Sequence, residues 1–245
     1  MADSGSGAAS LVGGSSEPAP SVGGGTAQVH GPAGMLKEVE RHVGARISAL
    51  QKALLDHAHP HHSQSVTSLA RLRRSDPGDA GDPSVWDVTF LDTPSHLVGR
   101  GDDPSRAERA IHAALVLFAG HVQSANGARH VRGRRLGHAI GDLARELSPP
   151  DEPNGYADGA VAHRFRSFAM ATSWTHAVAH LRGLVSLLRS RDIALDYGAL
   201  AADLYRMQTP QGLRRARLQW ARDFHQLPSN PTSQTPTTVV PSKET

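Results

Sequence analysis

His180–Phe224 reads HLRGLVSLLRSRDIALDYGALAADLYRMQTPQGLRRARLQWARDF, and its periodicity decides the fold class. From Pro210 onward, Leu213, Ala216, Trp220, Phe224 and Leu227 recur at three- and four-residue intervals. That spacing gathers apolar side chains on one side of a helix and predicts an element that docks on a core. Leu181, Leu184, Val185 and Leu188 repeat the design in the segment before it. Arg214, Arg215, Arg217 and Arg222 fill the arc from the edge of the later stripe to its back, and Arg182 and Arg189 share a face of the earlier helix. Both helices bury leucine and display arginine. A guanidinium donates two parallel hydrogen bonds to a phosphate and keeps its charge at any physiological pH, so the faces suit a polyanion. They also suit plain solvation, which is the commoner fate of a basic helix face.

Working outward, no stretch alternates apolar and polar residues with the β-branched enrichment of a strand, so the chain reads as all-α, with about nine helices. Leu36, Val39, Val43, Ile47, Leu50 and Leu54 mark a first helix that ends near Asp56. A second, roughly 63–74, turns Val66, Leu69, Ala70 and Leu72 inward and carries Arg71, Arg73 and Arg74 at its C-terminal end. Asp82-Pro83 opens a short third helix to Leu91 in which Trp86 and Phe90 pack inward, and Asp103-Pro104 caps a long fourth whose stripe is Ile111, Ala114, Leu115, Phe118 and Val122. Leu136, Ile140, Leu143 and Leu147 make a fifth, stopped by Pro149-Pro150. Beyond a breaker-rich segment, 151–159, come helices at about 159–171, 173–189, 196–206 with Asp196 as cap, and from Pro210. The domain reading is therefore two small helical lobes, 35–150 and 151–227, between disordered tails at 1–34 and 228–245 whose Gly, Ser, Pro and Thr content cannot offset the entropy of ordering. Met35 opens the folded part and is a candidate first residue of the native protein.

Composition narrows the function classes. The 245 residues are 38% apolar, enough for a sizeable core. All of the 26 basic residues except Lys37, Lys52 and Lys243 are arginine, and they stand against 23 acids. Between 174 and 227 the arginines 182, 189, 191, 206, 214, 215, 217 and 222 face only Asp192, Asp196, Asp203 and Asp223. That local excess favours a polyanionic partner over a neutral small substrate. The absence of cysteine excludes disulfides and thiolate metal sites. No apolar run approaches a membrane span and no secretory signal opens the chain, so the expectation is a cytoplasmic protein with no membrane contact.

The candidate chemistry is sparse. His57, His59, His61 and His62 form a cluster broken by Pro60, with no further ligand at a metal-binding spacing, so composition explains it better than a metal does. His112, His121 and His138 fall on or near helices, as hydrogen-bonded core groups do more often than catalytic bases. No nucleophile elbow, phosphate-binding loop, dinucleotide fingerprint or zinc-protease motif accompanies them, which argues against an enzyme and against a bound cofactor. Gly127–Ala139, GARHVRGRRLGHA, sets Arg129, Arg132, Arg134 and Arg135 among glycines at a helix start. It is either a phosphate cradle or an ordinary glycine turn.

Read in order, LARLRR at 69–74, PSVW at 83–86, AERAIHAALVLFAGHVQS at 107–124, GRRLGHA at 133–139, HRF at 163–165, HLRGLVSLLR at 180–189, LDYGALAADL at 195–204 and RRARLQWARDF at 214–224 resemble the CasB family. That family is the small subunit of the type I-E CRISPR surveillance complex, Cascade. The resemblance spans Met35 to Leu227. It implies a non-enzymatic helical protein that enters the complex as a pair of copies beside other Cascade subunits. It also implies a basic surface held against crRNA, the target strand and the displaced strand. The basic positions it carries over are Arg73, Arg74, Arg182, Arg214 and Arg215, with Arg106 ahead of the long helix. Arg134, Arg135, Arg189 and Arg222 extend the expected surface by proximity in the pattern. The competing expectation is an independent helical DNA-binding regulator whose last helix reads bases.

Overall fold

The helix Arg106–His121 is buried on nearly every side, from Ala107 through Ala110–Ala119 to His121, and most of the other helices pack against it. In the computed structural model, which describes residues 31–149, 151–152 and 155–226, this is α4. Before it come α1 (Pro32–Leu55), α2 (His62–Leu72) and the short α3 (Trp86–Thr89) behind a 3₁₀ turn at Pro83–Val85. After it come α5 (Leu136–Glu146), α6 (Ala160–Met170), α7 (Trp174–Ser190), α8 (Tyr197–Met207) and α9 (Pro210–His225). Among the described residues there is no named strand; His130 and Leu195 form one isolated parallel bridge. None of these helices is long and apolar enough to cross a membrane.

The all-α reading holds, and its departures are local. α1 begins at Pro32, so residues 32–34 belong to the helix, while 1–30 and 227–245, including Leu227 of the last stripe and most of both expected tails, lie outside the described residues. The cap of α4 is Ser105 rather than Asp103. Ser105 Oγ accepts from Glu108 N at 3.1 Å and Glu108 Oε2 from Ser105 N at 2.6 Å, a reciprocal pair that satisfies two free amides where Asp103 would serve one. Trp86 does not pack inward. The 3₁₀ turn rotates the phase so that Val85, Val88 and Thr89 are buried, leaving Trp86 54% exposed with its indole N–H donated to Gly81 O at 3.0 Å. Val66 is exposed likewise, because Ser65, Leu69 and Leu72 form the inward face of α2.

Three helix pairs carry much of the packing. α8 lies against α1 and against α4, and α9 lies against α5, so the contacts run across the 151–159 segment and one cluster of buried side chains reaches from Val39 to Phe224. The α5–α9 approach is close enough to exclude side chains. A Cβ at Gly137 would sit 2.5 Å from Asp223 Cβ and 2.6 Å from Trp220 O, and one at Gly141 would sit 2.5 Å from Phe224 O. Gly137→Ala is therefore expected to destabilise the protein by about 2 kcal/mol, although alanine is the better helix former by about 1 kcal/mol. A urea midpoint at or above that of the parent would contradict the close approach.

Candidate nucleic-acid interface

α7 turns Leu181, Leu184 and Leu188 into the core, which leaves Arg182 and Arg189, two turns apart, on its outer side. That side faces α4 across a groove of about 520 Å³, and the chain leaving α2 brings Arg73 to the same groove. Three of the arginines singled out from the sequence thus meet at one concavity. Arg189 is oriented by neutral partners, donating to Gln123 Oε1 at 2.9 Å and Gly120 O at 3.4 Å, so its charge stays available. The groove lining also includes an acid, Asp76, whose Oδ1 accepts from Gly78 N at 2.8 Å.

The remaining arginines fall into two groups. Arg74, Arg214, Arg215 and Arg222 are exposed, the last three on the outer face of α9 opposite Ala216, Trp220 and Phe224. Arg106 is exposed too, with its guanidinium 4.9 Å from the centre of the Tyr205 ring. Arg134 and Arg135 are put to internal use. Arg134 pairs with Asp142 at 2.8 Å, and Arg135 reaches Asp223 at 3.1 Å and Asp203 at 3.4 Å. Asp203 is nearly fully buried. Burial raises its carboxyl above the ordinary value, while Arg135, the Trp220 indole and Arg206 pull it back.

The glycine loop before α5 follows the same logic. The Gly133 amide donates to Asp196 Oδ2 at 2.7 Å, Asp196 N donates to Arg134 O at 2.7 Å, and Asp196 also caps α8 through Ala199 N at 3.1 Å. A carboxylate of this chain stands where a phosphate cradle would hold its ligand. Arg129 is 8% exposed and ion-paired with Asp192, and Gln51 Oε1 accepts from the Arg129 and His130 amides at 2.8 and 2.7 Å. Nothing local in the sequence signals these bonds, because Gln51 lies 78 residues before Arg129.

A feature not read from the sequence is a second groove, of about 450 Å³, to which α4 contributes Arg109 and α9 contributes Arg217, with Trp174 and Thr209 in its lining. Arg217 is partly engaged there, donating from Nε to Ala169 O at 2.6 Å. In the histidine segment the rings of His57 and His62 meet at a tilt of 30° with centroids 4.7 Å apart, and His62 Nδ1 lies 2.9 Å from Ala53 O. Among the described residues no group of three or more His, Asp or Glu is placed to hold a metal ion.

Known proteins bear on this geometry in three ways. Residues 68–225 match the sequence profile of the CRISPR-associated protein Cse2, a span that includes the groove arginines and all of α9. CasB from Thermobifida fusca, known from its crystal structure, is similar at 31% identity and a TM-score of 0.59, over 77% of this chain and 98% of that one. A chain of a CRISPR RNA-guided surveillance complex shares the fold at 23% identity and a TM-score of 0.52, over 76% and 95% of the two chains. No curated protein sequence matches. With the profile covering more than half of the chain and the helices superposing over nearly the whole of CasB, this protein belongs to the Cse2 family of CRISPR-associated proteins.

Proposed function

We propose that this protein is the non-catalytic small subunit of a type I-E CRISPR surveillance complex, Cascade, and that its arginines hold nucleic-acid backbones to keep the R-loop open. The partners in this reading are crRNA, the target and displaced DNA strands, the other Cascade subunits and a second copy of the chain. Family membership and the fold shared with a surveillance-complex chain support the placement. The observation that carries the nucleic-acid role is the convergence of Arg73, Arg182 and Arg189 on one groove, with neutral partners orienting Arg189. The exposed arginines of α9 and Arg74 add charge that is free of internal acids, whereas we assign Arg134 and Arg135 to bracing α5 against its neighbours. Exchanging a DNA duplex for an RNA–DNA hybrid is nearly balanced in free energy, so a few backbone contacts decide whether the open state persists.

Binding of this kind is electrostatic and indifferent to base sequence. Replacing Arg73, Arg182 and Arg189 together with alanine is expected to weaken binding to a single DNA strand and to lower the salt slope by about 2, at roughly 0.7 for each phosphate no longer neutralised. A slope equal to that of the parent would take these arginines off the strand's path. Co-expression of the tagged chain with the other type I-E subunits and crRNA tests the placement itself. Failure to copurify with any of them would overturn it.

A further inference from the structure

Two helical glycines line the groove with no side chain packed over them: Gly183 in the middle of α7, and Gly120 in the last turn of α4, whose carbonyl accepts from Arg189. A Cβ built at Gly120 on α4 or at Gly183 on α7 meets no atom within 4 Å, and both residues belong to the groove lining. Gly137 is the opposite case, since packing against α9 demands its missing side chain. A glycine inside a helix is unfavourable relative to alanine because its freer backbone loses more entropy on folding. At Gly183, in the middle of α7, no packing within the fold compensates for that; Gly120, in the last turn of α4, carries a smaller cost and is equally unpacked.

Their surroundings continue the same theme. Ala179 and Ser186 flank Gly183 along α7, and no aromatic side chain is among the residues lining the groove. Such a floor offers nothing for a base to stack on, in contrast with the aromatic platforms that hold single strands elsewhere. It does let a ligand come close to two helix backbones while Arg73, Arg182 and Arg189 stand around it. We propose that Gly120 and Gly183 are kept bare so that the sugar–phosphate backbone of a nucleic-acid strand lies against the groove floor, which makes them the residues that set how closely it approaches. The inference rests on the nucleic-acid reading above and adds the part of the ligand that enters and the positions that admit it.

Filling the floor has two effects of opposite sign, and the test rests on them. Gly183→Ala is expected to raise Tm by about 2–4 °C, the return for a better helix former in a chain of this size, and Gly120→Ala, in the last turn of α4, to leave Tm at or above that of the parent. Gly183→Leu is expected to keep a Tm no lower than that of the parent, since leucine is the better helix former and a Cβ at this position meets no atom within 4 Å. It is also expected to lower affinity for a fluorescent poly-thymidine strand at least about tenfold, the penalty of overfilling a fitted surface. Arg182→Ala, measured beside it on the full-length chain, separates the floor from the arginines around it. If Arg182→Ala weakens binding and Gly183→Leu does not, the glycine inference falls and the arginine groove stands. If neither weakens it, the nucleic-acid reading of the groove falls. A Gly183→Leu chain that binds the strand normally but no longer copurifies with the Cascade subunits would assign the floor to a protein partner. A lowered Tm in the alanine variants would show that the fold itself requires the glycines. Either result overturns the proposal.

Discussion

Trp220→Ala is expected to lower the free energy of unfolding by about 4 kcal/mol, an effect at the upper end for a single core substitution. Trp220 is 1% exposed, packs 4.8 Å from Phe168 and 6.5 Å from Phe165 between ring centres, and donates its indole N–H to Asp203 Oδ2 at 2.9 Å. Truncation leaves a cavity that α6 and α8 can only partly close, and it strips a buried carboxylate of one donor. Trp220→Phe separates the two costs. It keeps most of the apolar packing and removes only the hydrogen bond. Asp203 still has Arg135 and Arg206 at 3.4 Å, so a decrease of about 1 kcal/mol is expected. Urea unfolding at constant slope reads both. A phenylalanine variant as unstable as the alanine one would mean that the bond to Asp203, rather than packing, holds α9 in place. Since α9 presents Arg214, Arg215 and Arg222, loosening it should also weaken strand binding.

The helices most legible in the sequence are those with one dry face. α7 and α9 meet the core along a single stripe, so their spacing identifies both the buried leucines and the arginines opposite them. α4 is different. Its stripe of Ile111, Ala114, Leu115, Phe118 and Val122 is buried as expected, yet Ala113, Val116 and Leu117 behind it are buried too. Periodicity locates one face and is silent when every face is covered. The signal that was present is the absence of any Asp, Glu, Lys or Arg between Arg109 and His121. At Trp86 the residue type pointed inward and the helix phase pointed outward, and the phase prevailed because a 3₁₀ turn precedes the helix.

The site was legible in part for a related reason. The seven-residue separation of Arg182 and Arg189 fixes them on one helix face, so their shared groove follows from α7 alone. Arg73 joins them only through the tertiary arrangement of α2, α4 and α7. For Arg135 the partners lie 68 and 88 residues away, at Asp203 and Asp223, a pairing no local pattern announces. Arginine density in a sequence therefore overstates a basic surface: a guanidinium counts toward it only when no acid of the same chain has reached it first. By that measure Arg134 and Arg135 are engaged within the fold, whereas Arg182 and Arg189 have no ion pair among the described residues.

The same buried chemistry makes the fold sensitive to acid, and His121 sets the scale. It is fully buried on α4, 2.8 Å from the Tyr197 hydroxyl, and burial, aided by the nearby charges of Arg129 and Arg189, lowers its pKa from the ordinary 6.5 to about 4. Below pH 6.5 the unfolded chain binds a proton that the folded chain refuses until about pH 4. Stability is therefore complete above 6.5 and is lost on acidification, by up to about 3 kcal/mol for this one group at roughly 1.4 kcal/mol per pH unit. Burial lowers His42, His112 and His130 as well, and their contributions have the same sign. Asp203 works against them: burial raises its carboxyl, so it favours the folded state on acidification and that contribution fades as pH rises through its folded value. His121→Gln keeps a hydrogen-bonding partner for Tyr197 and removes the titration. Its unfolding free energy, measured in urea between pH 7.5 and 4, is expected to fall less steeply than that of the parent by about one proton's worth. Parallel slopes for the two proteins would show that His121 takes up its proton equally in the folded and unfolded chains, and that the acid sensitivity comes from elsewhere.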